Sequence, residues 1–271
     1  MSSVRYQIVP GFFIQDTKQD NEPIGPTPPF FGLISGSWSL FRTSIERLNG
    51  QGPPRKVLFL GRHGQGWHNV AEAKYRTKSW DEKWALLDGD GEIIWGPDPL
   101  LTALGEEQAV QAHDAWKREI DVGAPIPTRF ICSPMHRALR TYEISWGDIV
   151  SAKEVPPLIL ENAREHYGEH TCDKRRTRSE IARDFPNHVF EDGFAEEDVL
   201  WTHERETYDH IDERAKALLD TIFTNYTDHT YISITGHSGI FNGIFRVIGR
   251  GNYPLPTGGI FVAVVQQLQE M

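Results

Sequence analysis

The sequence contains little cysteine, no excess of cationic residues and no long apolar run. Two of its 271 residues are cysteines, Cys132 and Cys172, which is too few for the disulfide framework of a small secreted domain. We therefore expect two free buried thiols, although one disulfide between them is also compatible with the sequence. The formal net charge of -10 opposes general binding of nucleic acid or of an anionic membrane surface, because both select basic faces.

No segment approaches the roughly 20 consecutive apolar residues of a membrane-spanning helix. The first residues lack the basic start and apolar core of a secretion signal, and the chain has no internal repeat or low-complexity tract. These absences predict a soluble cytoplasmic protein without a membrane or nucleic-acid partner. They do not specify an oligomeric state.

Residues 1–54 are rich in prolines and aromatic side chains, unlike the rest of the chain. Prolines disfavour a long helix or a central strand, and many exposed aromatic rings would be costly. We expect this N-terminal extension to pack on the main body, where it could also roof a site, within a single domain spanning residues 1–271. A short helix is expected over residues 37–48, where apolar side chains recur at spacings of three and four.

The stretch that follows the extension combines an apolar strand with reactive side chains. Val57 to Leu60 form a continuous apolar run, typical of a strand covered on both faces, and Arg62 and His63 come directly after it. Open α/β sheets bind ligands at the carboxyl ends of their strands. An arginine can hold a phosphate through two parallel hydrogen bonds, and histidine offers a nitrogen nucleophile whose usual pKa lies near neutrality. The pair indicates phosphoryl chemistry.

Strands and helices alternate through the remainder of the chain. Helical patterns are expected over residues 70–84, 101–120, 178–184 and 206–226, and strands over 129–132, 155–160 and 231–235, with an edge or antiparallel strand over 258–268. This alternation predicts an α/β fold, a three-layer α/β/α sandwich with a mostly parallel central sheet.

Three strand ends in this fold carry Arg62 with His63, then Arg137, then His237. Taken singly, each is more often an ordinary surface or strand-end residue. A doubly wound sheet could bring them to one pocket, where two arginines and a second, cationic histidine would stabilise charge on a transferring phosphoryl group. His63 would then attack phosphorus with one ring nitrogen while a backbone carbonyl holds the other.

Four sequence boxes resemble those of the histidine phosphatase superfamily, in its phosphoglycerate-mutase-like branch. They are RHGQGWHN from Arg62, LTALGEEQA from Leu101, SPMHRALRT from Ser133 and TGHSG from Thr235. The resemblance implies a phosphoglycerate-mutase-like fold and a metal-independent enzyme without a cofactor. It implies that His63 is phosphorylated and that Arg62, Arg137, His237 and Asn69 contact the phosphoryl group. The N-terminal extension resembles that of fungal phosphoglycerate-mutase-like proteins.

A proton donor for the leaving group has to come from elsewhere in the chain. The acid-phosphatase branch of the family places an aspartate after its second histidine, whereas this chain has Ser238 there. The mutase-like branch takes a glutamate from the polar excursion after the second arginine, here residues 161–186. NAREHYG in this excursion resembles that segment, which implies Glu165 as the general acid, with Glu161 and Glu169 as alternatives.

Two metal sites are possible alternatives in the sequence. A zinc ion could bind His166, His170 and Cys172, although the paired motif of a structural zinc site is absent. The DGDG turn at residues 88–91 resembles part of a calcium loop but lacks the alternating ligands and the downstream glutamate. We therefore expect no metal.

The expected function is hydrolysis of a small-molecule phosphomonoester through a phosphohistidine on His63. The chain lacks a counterpart, between Asp192 and Tyr208, of the basic and proline-rich segment that phosphoglycerate mutases use for their substrate. A phosphotransferase or mutase, or an idle binding or assembly module, are the alternatives. A further cationic cluster could extend the pocket towards a polyphosphorylated or carboxylated substrate, or could be an exposed charge run. It consists of Arg175, Arg176 and Arg178.

Overall fold

The computed structural model describes residues 4–17 and 24–269. Within these residues, seven strands form one sheet in the order β1-β7-β2-β6-β3-β4-β5. The strands are Val4–Ile8 (β1), Arg55–Arg62 (β2), Arg129–Cys132 (β3), Leu158–Ile159 (β4), Val189–Phe190 (β5), Tyr231–Gly236 (β6) and Ile260–Gln269 (β7). The α-helices are Ile14–Thr17 (α1), Trp38–Gln51 (α2), Trp67–Tyr75 (α3), Thr77–Glu82 (α4), Ala103–Asp121 (α5), His136–Trp146 (α6), Arg178–Asp184 (α7), Tyr208–Asn225 (α8) and Ser238–Val247 (α9). Short 3-10 turns cover Pro29–Gly32, Trp84–Leu86, Glu161–Ala163 and Thr171–Asp173.

The centre of the sheet is parallel. β2, β6, β3, β4 and β5 pair in parallel along the sheet, whereas β7 runs antiparallel to both β2 and β1. The register pairs Arg62 with Gly236 and Cys132 with Thr235, so the carboxyl ends of β2, β6 and β3 lie level. The mostly parallel sheet predicted from the sequence is therefore confirmed.

Helices cover both faces of this sheet. Along β2, Leu58 and Leu60 face α8 and α9, whereas Val57 and Phe59 face α2, α5 and α6. All four side chains are buried, as the continuous apolar run predicts. The result is the predicted three-layer sandwich. Among the described residues, no helix is both long and apolar enough to cross a membrane.

The N-terminal extension joins the body through an edge strand and an aromatic cluster. β1 pairs with β7, and Phe13, Phe31 and Trp38 are buried with Trp116 on the α5 side of the sheet. The Trp38 indole donates to Glu119 Oε2 at 2.9 Å, and the backbone N–H of Phe30 donates to Glu119 Oε1 at 2.8 Å. The extension thus completes a core layer, because a buried carboxylate of α5 binds it at two points.

Several expected elements differ from those observed. The helix expected over residues 70–84 is divided at Arg76, whose φ of 65° ends α3. The next helix, α4, carries Trp80, which packs against Trp95 with 5.5 Å between ring centres. The strand expected over residues 155–160 shortens to the two residues of β4, since Pro156 and Pro157 lack the N–H that a ladder needs. β7 is antiparallel, as one of the two expectations had it, but is not an edge strand because β1 covers it. β1 and β5 were not predicted.

Candidate active site

The first two sequence boxes interlock backbone to backbone. A Cβ on Gly64 would lie 2.1 Å from the carbonyl oxygen of Gly105, and a Cβ on Gly105 would lie 2.1 Å from the carbonyl oxygen of Gln65. Glycine is therefore required at both positions for β2 and α5 to approach this closely. Gln108 then accepts from the Gln65 N–H at 2.7 Å, and Thr102 Oγ1 caps α5 while also contacting the Gln65 side chain. These contacts fix the loop that begins with His63.

The ring of His63 has one nitrogen engaged and one available. Its Nδ1 lies 2.7 Å from the carbonyl oxygen of Gly64. A carbonyl can only accept, so Nδ1 carries the proton and Nε2 carries the lone pair. The sequence left open which ring nitrogen is available, and this geometry leaves Nε2 with its lone pair.

Burial, together with two arginines, keeps that imidazole neutral. Burial, reinforced by the positive charges of Arg137 and Arg62, holds the pKa of His63 well below its usual value. Arg137 is fully buried, where its Nη1 donates to the Cys172 carbonyl at 2.9 Å and its Nη2 to Asp173 Oδ1 at 3.0 Å. Its Nε has no partner among the described residues. A neutral nucleophile beside cations with spare donors is what attack on a phosphate dianion requires.

His237 lies beside His63, with 4.9 Å between ring centres. Its Nε2 lies 2.8 Å from Ser133 Oγ, which also accepts from the Met135 N–H at 3.3 Å. The serine hydroxyl can thus donate its proton to Nε2, leaving Nδ1, which has no described partner, as the donor. Burial and the charge of Arg137 lower the pKa of His237 well below its usual value. His237 is therefore a neutral hydrogen-bond donor. The sequence analysis expected a cation at this position.

A cavity of about 370 Å³ opens at this edge of the sheet and is lined by Arg62, His68, Asn69 and Glu165, among others. Asn69 also caps α3, because its Oδ1 accepts from the Gly66 N–H at 3.0 Å. His63, Arg137 and His237 are at most 1% exposed and are not among the residues that line it. None of the described residues of the extension, 4–17 and 24–54, lines the cavity. The extension therefore forms no roof over it in the part of the chain that is described.

Of the three candidate acids, Glu165 alone lines the cavity among the described residues. Glu161 is turned away, since it pairs with Arg164 at 3.2 Å and with Arg175 at 2.8 Å. Glu169 follows a glycine turn outside the cavity. The Glu165 carboxylate lies over α9, because a Cβ on Gly239 would come within 2.0 Å of its Oε1. The glycine of the TGHSG box thus leaves room for the candidate acid.

An ion pair from α8 holds the loop that carries Glu165. Arg214 donates to the carbonyl of Glu165 at 3.1 Å and to that of Arg164 at 3.2 Å. The same guanidinium binds both oxygens of Glu206, at 2.6 and 2.7 Å, and this pair is almost fully buried. Glu206 Oε2 in turn accepts from the Tyr167 N–H at 3.3 Å. The loop is therefore clamped on both sides of the acid.

The arginine cluster of the excursion does not extend the cavity, since none of its members lines it. Arg175 is buried, pairs with Glu161 and donates to several carbonyls. Arg176 pairs with Asp98 at 3.1 Å and with Asp184 at 2.5 Å, and Arg178 is exposed over the ring of Phe190. Both interpretations of the cluster were thus incomplete: Arg175 is a buried structural residue, and only Arg178 fits an exposed run.

The residues proposed for zinc are only partly brought together. His170, Cys172 and Asp173 place ligand atoms within 4.8 Å of one another, whereas the ring of His166 bonds to the Glu206 carbonyl. The two oxygens of Asp173 already accept from Arg137 and Arg205, each at 3.0 Å. Burial and the charge of Asp173 raise the pKa of the Cys172 thiol well above its usual value. A cation at this point would face two guanidinium groups and a protonated thiol, so the residues fit a metal poorly. Both cysteines are free.

Some residues of the site carry no role in the sequence analysis. Ser133 lies in the SPMHRALRT box, but the sequence does not indicate its role because its partner, His237, is remote in sequence. Thr141 of the same box accepts from the Gly64 N–H at 3.0 Å and so ties α6 to the His63 loop. His68 was missed as well, although it lies two residues beyond Gly66, whose missing Cβ would come within 2.7 Å of the His68 ring.

Comparisons with known proteins identify the family of the chain. The histidine phosphatase superfamily (branch 1) matches residues 58–254. A "Probable phosphoglycerate mutase" of Arthroderma benhamiae is 36% identical over 97% of this chain and 84% of its own length. A second protein of that description, from Saccharomyces cerevisiae, is 30% identical over 95% of both chains. Among solved structures, the ecdysone phosphate phosphatase of Bombix mori covers 79% of this chain and 89% of its own at 14% identity and a TM-score of 0.48, a similarity too low to inform activity.

The chain belongs to the histidine phosphatase superfamily, in its first branch. The predicted resemblance, including that to fungal phosphoglycerate-mutase-like proteins, is therefore confirmed. The family contains phosphatase-type enzymes, and the relatives are named as mutases. The exact reaction of this chain is thus a separate question.

Proposed function

We propose that this protein is a metal-independent phosphatase that hydrolyses a small-molecule phosphomonoester through a phosphohistidine on His63. The observation that carries the proposal is the His63 ring, which is neutral, donates from Nδ1 to Gly64 and has Nε2 unengaged beside two arginines. The cavity volume of about 370 Å³ suits a small ligand.

In the first step, His63 Nε2 attacks phosphorus and the bond between phosphorus and the ester oxygen breaks. Glu165 gives its proton to that oxygen, so an alcohol leaves instead of an alkoxide. Arg62, Arg137 and the Nδ1–H of His237 stabilise the charge on the three transferring oxygens, with Asn69 at the cavity wall.

In the second step, Glu165, now a carboxylate, takes a proton from a water molecule that attacks phosphorus. The bond between phosphorus and Nε2 breaks, inorganic phosphate leaves and His63 regains its lone pair. The carboxyl group is thereby restored for the next turnover. No step requires a metal or an organic cofactor.

His63→Ala tests this proposal. Wild type and variant would be assayed against a panel of alkyl, sugar and aryl phosphates in the presence of a chelator. We expect turnover by the wild type and, without the nucleophile, a loss of at least about a thousandfold in kcat, in line with the loss of a covalent catalytic group. Comparable turnover by both proteins would remove His63 from the mechanism.

The names of the relatives favour a second candidate, a mutase or phosphotransferase that uses the same phosphohistidine. It would pass the phosphoryl group from Nε2 to a second hydroxyl instead of to water. Product analysis distinguishes the two, because release of one inorganic phosphate per ester consumed supports hydrolysis. Isomerised ester without inorganic phosphate would establish the mutase.

A further inference from the structure

The cavity beyond the His63 region is polar and has walls of mixed charge. Besides Arg62, its lining includes two arginines, Arg205 and Arg246. Amide and hydroxyl side chains complete the polar lining. They belong to Asn69, Ser238, Asn242 and Asn252. Such groups can hydrogen-bond to the hydroxyls of an alcohol that enters behind its phosphate.

Arg205 and Arg246 each already pair with a carboxylate, although Arg205 shares Asp173 with Arg137. Arg205 donates to Asp173 Oδ2 at 3.0 Å and to the Gly168 carbonyl at 2.8 Å. Arg246 binds Asp212 through both its Nε and its Nη2. Among the cations that line the cavity in the described chain, only Arg62 lacks an ion-pair partner, and it lies on the His63 side.

Two carboxylates of the lining have no such partner. Glu72 accepts a hydrogen bond from the Thr77 hydroxyl at 3.1 Å, and the Asp81 carboxylate lies 3.8 Å from the His170 ring. Neither carboxylate pairs with a lysine or arginine of the described residues. Burial and the charge of Arg205 lower the pKa of His170, so this histidine adds no positive charge near neutrality. Apart from Arg62, the described lining therefore offers no cation without a pairing carboxylate, whereas Glu72 and Asp81 add negative charge to it.

We infer that the cavity selects phosphomonoesters whose alcohol bears hydroxyl groups but no second negative charge. A carboxylate or a second phosphate on the alcohol would find no free cation and would meet Glu72 and Asp81. This inference rests on the proposed function and deepens it, because it names the substrate class of the same site. It also sets the chain apart from the substrate class that the names of its relatives suggest.

A matched pair of esters tests the inference. Glycerol 3-phosphate and 3-phosphoglycerate differ only in a hydroxymethyl group against a carboxylate. We expect the wild type to favour glycerol 3-phosphate by at least tenfold in kcat/KM. The ratio should narrow as ionic strength rises, because salt screens the partly exposed carboxylates.

The double variant Glu72→Gln, Asp81→Asn should narrow the same ratio at least threefold by improving use of 3-phosphoglycerate. Glu82→Gln is the matched control, since Glu82 neighbours Asp81 but is exposed, pairs with Lys78 and does not line the cavity. It should leave both kcat/KM values at the wild-type level.

The outcomes separate this inference from the proposed function. Equal use of the two esters by the wild type, or preference for 3-phosphoglycerate, overturns the inference while the phosphatase stands. A ratio that the double variant leaves unchanged overturns the role of the two carboxylates. Turnover of neither ester and of no aryl phosphate overturns the proposed function and the inference together.

Discussion

The half of the candidate site around His63 is built by strand ends, whereas the half around Glu165 is held by ion pairs between side chains. In the first half, β2, β6 and β3 end level, so the residues that follow these strands lie at the same edge of the sheet. In the second half, the regular structure of the excursion is limited to two 3-10 turns and the short helix α7. Arg164 binds both oxygens of Asp198, and Arg214 binds both oxygens of Glu206.

This difference bears on how each half tolerates change. Backbone hydrogen bonds to Gly236 and Gly258 hold His63, and its loop packs closely against α5 at Gly64. Glu165 depends instead on side-chain pairs whose removal would free a loop without unfolding the sheet. Under the proposed mechanism, substitutions in the second half should therefore alter proton transfer selectively, whereas loss of His63 should stop the reaction.

Glu165→Gln should give the largest effect of the second half. Alkyl and sugar phosphates expel a basic alkoxide unless an acid protonates it, whereas a nitrophenolate leaves readily without help. We expect a loss of roughly a hundredfold or more in kcat on alkyl phosphates and a distinctly smaller loss on an aryl phosphate. Steady-state assays with both ester classes measure the difference.

Glu169→Gln is the control for that variant, because Glu169 lies four residues on and outside the cavity. It should show no dependence on the leaving group. If Glu165→Gln instead slows both ester classes equally, or neither, the proton donor is not Glu165. The half of the site around Glu165 would then have no role in proton transfer.

Arg214→Lys should give a smaller loss of the same kind. Lysine keeps the charge beside Glu206 but cannot match the fork of guanidinium donors that reaches the Glu165 and Arg164 carbonyls. We expect about a tenfold loss in kcat on alkyl phosphates and less on aryl phosphates, since one or two charge-assisted hydrogen bonds of about 1.5 kcal/mol each are weakened.

Combining Arg214→Lys with Glu165→Gln should cause little further loss on alkyl phosphates, because both changes act through one carboxyl group. Lys216→Gln on the same helix is the control, since its pair with Asp220 is exposed. Fully additive losses, or equal effects of Arg214→Lys on both ester classes, would reduce Arg214 to a stabilising residue.

The same division explains how far sequence reasoning reaches. The apolar run Val57–Leu60 and the glycines of the boxes are local signals, so they predict the sheet, its layers and the edge that carries His63. Ser133 and Arg214 act on partners 104 and 49 residues away, and a single serine or arginine carries no local mark of such a partner. The assignment of Glu165 as the candidate acid came from the family resemblance and not from any property of that residue in the sequence.

His188, in the loop after the excursion, should make the free energy of unfolding depend on pH. Its ring is buried between Tyr142 and Phe185, and neither ring nitrogen has a partner among the described residues. Burial lowers the pKa of His188 to about 4. It does not line the cavity, so its protonation should affect the free energy of unfolding and leave catalysis alone.

The folded-state pKa of His188 lies below the unfolded value of about 6.5, so the unfolded chain binds the proton more readily. The stability that the neutral ring confers is complete above pH 6.5 and is lost as pH falls towards 4. The loss should be roughly 2 kcal/mol at pH 5 and roughly 3 kcal/mol at pH 4, since one pKa unit corresponds to about 1.4 kcal/mol. His188→Gln removes this titration, so the difference in unfolding free energy between variant and wild type should shift by those amounts relative to pH 8. Denaturant unfolding at several pH values measures that shift, while kcat/KM at pH 7 should stay within about twofold because the ring lies outside the cavity. A difference that stays constant from pH 8 to pH 4 would mean that His188 already meets water in the native protein.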